Sequence, residues 1–347
     1  MAITRPTIGA LASGASGTIA DVDGVTVGHC TVAQDALQTG VTVVRPHARD
    51  PFREKVPAAA VVINGFGKSA GIMQVNELGV LETPIALTNT FAVGTIATAQ
   101  IRVAVDDNPG IARTTTSINP LVFECSDAYL SDMQSIGVGE EHYRAALAAA
   151  TATFERGSIG AGRGMSCFEL KGGIGTASRM VSIVGRPYAV GVLVLANFGR
   201  LPNLTIAGRH IGPRLVERLK TLRESRDTGS VIVVIATDAP LDHRQLRRIA
   251  MRGAAGIGRT GAYFGHGSGD IALAFSTAAT VPHDAPRSVL TVNVLVESLL
   301  EALFDATAEA TEAAIVDALF SATTVVGFQG HVRHALADIA PDWIELG

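Results

Sequence analysis

The feature that most constrains this chain is a junction. The polar stretch Arg223-Glu224-Ser225-Arg226-Asp227-Thr228 runs into Gly229-Ser230, and the serine opens the unbroken apolar run Val231-Ile232-Val233-Val234-Ile235. A short apolar run rich in β-branched residues and bounded by turn residues predicts a buried strand. A serine hydroxyl therefore stands at the first position of a central strand, behind a flexible loop that can be cut. If the chain breaks between Gly229 and Ser230, the serine gains a free α-amine that titrates near pH ~8. That amine can take the proton from the serine's own hydroxyl with no histidine present. The plain alternative is a loop-to-strand junction, because Gly and Ser are ordinary turn residues.

Other apolar runs alternate with Gly-rich turns and Ala-rich stretches. Ala59 to Ile63 reads as a buried strand ending at Asn64-Gly65, and Tyr188 to Ala196 and Ile271 to Phe275 read as two more. Glu140 to Arg156 reads as a helix. Asp242 is placed to cap a helix carrying Leu246, Ile249 and Ala250 on one face. Val289 to Ala322 reads as one long helix or two, with Val292, Leu295, Val296, Leu299, Leu300 and Leu303 at helical spacing. No repeat or low-complexity linker divides the chain. At 347 residues and 47% hydrophobic it can build one large core, so a single α/β domain with layered sheets covered by helices is expected.

Two familiar motifs read as decoys. Gly67-Lys68-Ser69-Ala70-Gly71 fits the nucleophile-elbow pattern, but Asn64 to Gly67 separate it from the preceding strand and no clearly capped helix follows. Gly256-Ile257-Gly258-Arg259-Thr260-Gly261 fits a dinucleotide-binding pattern but follows a helix rather than a strand, which points to a close-packing turn. His29, His47, His266 and His283 read as structural or surface residues, and no histidine forms a metal pattern. A formal charge of −4 and 5% aromatic residues argue against nucleic acid or an anionic membrane as partner. The three cysteines are far apart with no metal spacing, and Met1 to Pro6 lack the basic and apolar regions of a signal peptide. No apolar stretch reaches membrane-spanning length, so a reduced cytoplasmic protein without metal or organic cofactor is expected.

Ordered blocks along nearly the whole chain resemble the P1 aminopeptidases, the group of L-aminopeptidase/D-esterase/amidases and β-peptidyl aminopeptidases. They are Asp21 to His29, Thr39 to Thr42, Asn64 to Lys68 and Glu82 to Thr90, then Gly160 to Gly162 and Lys171 to Thr176. Asn197-Phe198-Gly199, Gly229-Ser230 with Ala236 to Leu241, and Gly267 to Asp270 complete the set. The resemblance implies a four-layer αββα sandwich of the N-terminal-nucleophile type that cuts itself into residues 1–229 and 230–347. It also implies an assembly of several such two-chain protomers. It makes Ser230 the nucleophile and Gly229 the residue before the scissile bond. Asn197 becomes an oxyanion donor, Ser268 and Asp270 become the pair that contacts and orients the nucleophile, and Glu124 meets the substrate's ammonium.

The chemistry of each assignment is independently sound. An amide N–H aimed at an oxyanion stabilises it, and a carboxylate facing an ammonium explains a requirement for a free N-terminus. The bland readings are a turn cap for Asn197, a solvated edge for Glu124 and an Asx turn for Asp270. The chain departs from the pattern after Glu124, where Cys125-Ser126-Asp127-Ala128 replaces an Asn-Asp-Gly-like sequence. That leaves open the parts played by Ser126 and by the nearby phenol of Tyr129. Some members carry Glu where this chain has Asp270. The expected activity is removal of the first residue from short peptides, amino-acid amides or esters. The alternatives are an acyltransferase of the ornithine acetyltransferase type and an unprocessed, non-catalytic binding protein of the same fold.

Overall fold

Ser230–Thr237 is buried along its whole length, and its two faces enter different cores. Val231, Val233 and Ile235 pack with one set of residues, and Ile232, Val234 and Ala236 with another. A strand apolar on both faces has no solvent side, which is why its sequence does not alternate. The computed structural model describes residues 3–219, 229–285 and 288–346. The polar loop Arg223 to Thr228 lies outside the described residues. The principal strands are β1 (Thr26–Gln34), β2 (Leu37–Arg45), β3 (Glu54–Gly65), β4 (Ile85–Asn89) and β5 (Val122–Cys125), followed by β6 (Gly173–Ile183), β7 (Arg186–Asn197), β8 (Ser230–Thr237) and β9 (Gly269–Ser276). The principal helices are α1 (Ile72–Leu78), α2 (Val93–Asp107), α3 (Glu140–Ala148), α4 (His243–Arg259) and α5 (Glu301–Ser321).

One sheet runs β1-β2-β4-β5 and the other β3-β9-β8-β7-β6, with short pieces at Val80–Leu81 and Val281–Pro282 pairing β3. Within the second sheet β8 and β9 are parallel and the other neighbours antiparallel. Between the sheets, Val44, Leu87 and Phe123 meet Leu193, Ile232 and Leu273. Outside the second sheet, Leu246 and Ile249 of α4 and Leu303 and Ile315 of α5 cover Val231 and Val233. Outside the first, Ile96 of α2 and Tyr143 of α3 cover Val41 and Val43. The layer order is therefore helix, sheet, sheet, helix: an αββα sandwich.

Asp242 caps α4 in a capping box with Gln245, and the strands at 59–63, 188–196 and 271–275 all form, each longer than its apolar run. The glycine motif at 256–261 begins inside α4. A Cβ on Gly256 would lie 2.5 Å from the Thr311 Cβ of α5, so this glycine lets two helices approach closely.

Two expectations need correction. The helix at 140 ends at Ala148 rather than Arg156, because the chain leaves it to pair with β1: Val27 and Thr151 exchange both main-chain hydrogen bonds, at 3.0 and 3.1 Å. The tail helix begins at Glu301 rather than Val289. The β-branched stretch before it runs as an irregular strap, tied down where Leu295 N–H donates to the Pro240 carbonyl (2.9 Å) and the Gln245 amide donates to the Leu295 carbonyl (2.8 Å). Val292 and Val296 are exposed there, so their helical spacing with Leu295 is coincidental. The helix that follows Ser69, α1, starts after Gly71 with no side-chain cap, in keeping with the absence of a clearly capped helix behind the elbow motif.

Candidate active site

The site forms where β7, β8 and β9 end together. Ser230 is the first residue of β8 and is buried; it lies directly opposite Asn197, the last residue of β7, and Gly269, the first of β9. Residues directly opposite in an antiparallel pair share a face and bring their side chains close. That face looks between the two sheets, as Ile232 and Leu195 do. Ser230 Oγ accepts the Gly269 N–H at 3.3 Å. Gly229 is pressed against the end of β7: a Cβ there would lie 2.3 Å from the Asn197 carbonyl oxygen and 2.6 Å from the Phe198 Cα. Only glycine fits at that point of the chain.

The Asn197 amide is locked in orientation. Its Oδ1 accepts the Ser166 N–H at 2.8 Å, and its Nδ2 donates one hydrogen to the Ser126 carbonyl at 2.9 Å. The second N–H has no acceptor among the described residues. A fixed donor next to a hydroxyl is what stabilisation of a developing oxyanion requires. Ser166 is held in turn. Its Oγ accepts the Arg333 Nε–H at 3.0 Å, and the Arg333 guanidinium lies 3.6 Å over the Tyr129 ring. His331 stacks on the same Tyr129 ring, with centroids 4.6 Å apart. Tyr129 is thereby brought beside the loop that carries Ser126.

Ser268 and Asp270 are brought together: the Ser268 hydroxyl donates to Asp270 Oδ1 at 2.5 Å. Both are buried. Asp270 is in register with Val231, so alternation puts it on the helix-covered face of the sheet, with Ser230 on the other. The group that reaches Ser230 Oγ is the N–H of Gly269, the residue between the pair.

Glu124, on β5, is 2% exposed. Its Oε1 accepts the Lys68 N–H at 2.8 Å and its Oε2 accepts the Thr90 hydroxyl. The Lys68 ammonium turns elsewhere, to the Phe66 carbonyl at 3.0 Å. Among the described residues no cation pairs with Glu124. A buried carboxylate without a counter-ion is costly, so a bound ammonium would be favoured beside it. Next to it, the Cys125 Sγ approaches the Ser230 carbonyl at 3.4 Å. Burial first, then the neighbouring carboxylates, push this thiol well up, which removes it as a thiolate nucleophile. The buried Ser69 Oγ has no hydrogen-bond partner among the described residues, so no base is bonded to it there.

Sequence reasoning passed over Asp127. It is fully buried, and neither carboxylate oxygen makes a hydrogen bond, although Thr39 and Asn89 are near. Burial pushes its pKa up to about 6. The native state therefore takes up this proton before the unfolded chain does. Stability from this group is lost as pH rises from 3.8 to about 6, and the cost persists above that. Relative to Asp127→Asn, the Tm of the unmodified protein should fall on the order of 5 °C between acid and neutral pH. Parallel melting profiles for the two proteins would show that the carboxyl is not the source.

His29, His47 and His283 serve structure, bonding to the Thr42 hydroxyl, the Glu54 carbonyl and the Thr115 hydroxyl at 2.9, 2.8 and 2.6 Å. Among the described residues no cluster of side chains could hold a metal ion, and no helix is long and apolar enough to cross a membrane.

Comparison with known proteins agrees with this geometry. The model of Peptidase family S58 matches residues 17–333. The chain is 38% identical to the β-peptidyl aminopeptidase BapA of Sphingosinicella microcystinivorans, over 93% of this chain and 86% of that protein. Its fold superposes on the PH0078 protein of Pyrococcus horikoshii OT3 with a TM-score of 0.92 and 45% identity, covering 98% of this chain and 95% of that one. It also superposes on the L-aminopeptidase D-Ala-esterase/amidase of Ochrobactrum anthropi, described as a prototype of the serine aminopeptidases and a variant of the Ntn hydrolase fold. There the TM-score is 0.88 and the identity 32%, covering 99% and 98%.

Proposed function

This chain belongs to Peptidase family S58 and is a hydrolase, an aminopeptidase of the N-terminal-nucleophile type acting on peptides or amides; from that premise we propose that Ser230 is its nucleophile, freed by cleavage of its own Gly229–Ser230 bond. The observation that carries the assignment is the juxtaposition of Ser230 with the locked Asn197 amide at the ends of adjacent strands. In self-cleavage the Ser230 hydroxyl adds to the Gly229 carbonyl, the C–N bond breaks, and water opens the resulting ester. The products are residues 1–229 and 230–347. In turnover the new α-amine takes the hydroxyl proton as Oγ attacks the carbonyl of the substrate's first residue. Asn197 Nδ2–H donates to the oxyanion. The α-amine then protonates the leaving amine, and water hydrolyses the acyl-enzyme. Ser268 and Asp270 hold the amine end of the nucleophile from the helix-covered side, and Glu124 receives the substrate's ammonium.

The names of the relatives are those of hydrolases, so the acyltransferase and the non-catalytic alternatives are set aside. We extend the reading to the N-terminal residue of short peptides, amino-acid amides and esters, β-amino-acid peptides included, and to an oligomer of two-chain protomers. The three unpaired cysteines suit a reducing, cytoplasmic setting.

The test is kcat/KM on matched aminoacyl p-nitroanilides with free and acetylated amines. Free-amine substrates should react about 100-fold faster or better, as expected where a buried charge loses its partner. Glu124→Gln should lose most of that preference while still self-cleaving, since no ammonium is involved at Gly229. Equal rates on both substrates with the unmodified enzyme would remove Glu124 as an ammonium anchor.

A further inference from the structure

A second cavity, of about 500 Å³, opens on the far side of the first sheet, between the end of β2 and helices α2 and α3. It is separated from the Ser230 side chain by that sheet. Phe52, Ile118 and Leu147 give it apolar walls. Most of its charged groups are already satisfied. Arg49 pairs with Glu54 at 2.5 Å, and Arg144 pairs with Asp106 and Glu140 at 2.8 and 2.9 Å. Asp50 accepts the Phe52 N–H at 2.9 Å and the Asn108 amide at 2.6 Å, and Glu82 Oε1 accepts the Asn119 N–H and amide at 2.7 and 2.8 Å.

Two groups are not satisfied. Arg45 donates to the Ala48 carbonyl at 2.9 Å and has no carboxylate partner among the described residues. Thr83 is 2% exposed, lines the cavity, and its hydroxyl has no hydrogen-bond partner. Both line the same end of the first sheet: Arg45 is the last residue of β2 and Thr83 lies two residues before β4, just beyond the final pair Val44–Ile85, and both face the cavity. Tyr143, 1% exposed, completes this end of the cavity. Asp107 also lines it but is exposed, where water screens its charge. A cavity of this size with apolar walls and a few convergent polar groups has the form of a small-molecule site.

We propose that this cavity is a non-catalytic binding site for a small apolar monocarboxylate, its carboxylate held by the Arg45 guanidinium and the Thr83 hydroxyl and its hydrocarbon body against Phe52, Ile118 and Leu147. A guanidinium supplies paired N–H donors that match a carboxylate, and an unpaired buried hydroxyl gains a partner.

The probe is 3-phenylpropionate, which has no amine for Glu124 to receive, titrated calorimetrically into the full-length protein. One saturable site per chain is expected, with Kd on the order of 1 mM or tighter. Arg45→Met should weaken it about tenfold. Ala148→Phe, at the exposed last residue of α3, should plug the mouth and abolish it. Both variants should keep peptidase turnover unchanged, and 3-phenylpropanol, lacking the carboxylate, should bind at least about tenfold more weakly. The proposal is overturned by the absence of saturable binding, by binding that persists in both variants, by equal affinity for the alcohol, or by competition with peptide substrate.

Discussion

Ser230→Ala should yield one uncut chain of 347 residues whose turnover is lower by about 10⁴-fold or more. Two functions disappear with one oxygen atom. The hydroxyl that would open the Gly229 peptide bond is the one that would attack substrate, and without the first reaction there is no α-amine to act as base. Ser69→Ala should behave like the unmodified protein, giving two chains and full activity, because that hydroxyl touches no base among the described residues. Intact mass spectrometry of fresh protein and a p-nitroanilide assay read both outcomes. A new N-terminus elsewhere than Ser230, or retained activity in Ser230→Ala, would reverse the assignment.

Removing the amide donor should be nearly as damaging to rate but not to binding. Asn197→Asp should lower kcat by about 10²–10³ with KM little changed, the pattern of an interaction realised only in the transition state. The aspartate can still accept the Ser166 N–H through its Oδ1, so the loop keeps its anchor while the N–H donor is gone. Asn197→Ala loses both. If the Asp variant kept kcat within threefold of the unmodified enzyme, the oxyanion would have to be stabilised by something else.

The central strands were legible because burial on both faces leaves an unmistakable mark: β8 and β7 are nearly pure Val, Leu, Ile and Ala between turn residues. The helix α4 was legible from its cap. The errors came where long-range pairing overrode local pattern. Nothing near Thr151 announces that it pairs with Val27, and nothing in the 289–296 stretch announces that Leu295 is tied to Pro240. The site divides the same way. Ser230 declares itself by its position ahead of an apolar run. The residues that hold Asn197 do not, because Ser166 is 31 positions from it and Arg333 is a further 167 from Ser166. Asp127 is an ordinary loop acid in sequence, and only its burial makes it unusual.

The strand order has a further consequence for a protein cut at Gly229–Ser230. Strands β8 and β9 would belong to the second chain, while β3 on one flank and β7 and β6 on the other would belong to the first. The two polypeptides would be interleaved, and neither could leave without unzipping two strand interfaces. The precursor folds in a single-molecule reaction whose rate ignores dilution. Once cut, the same sheet could be rebuilt only by an encounter between two unfolded partners, and recovery after denaturation would fall as the solution is diluted. Self-cleavage would make assembly a one-way process, with the mature enzyme preserved by the slowness of unfolding rather than by its ability to refold.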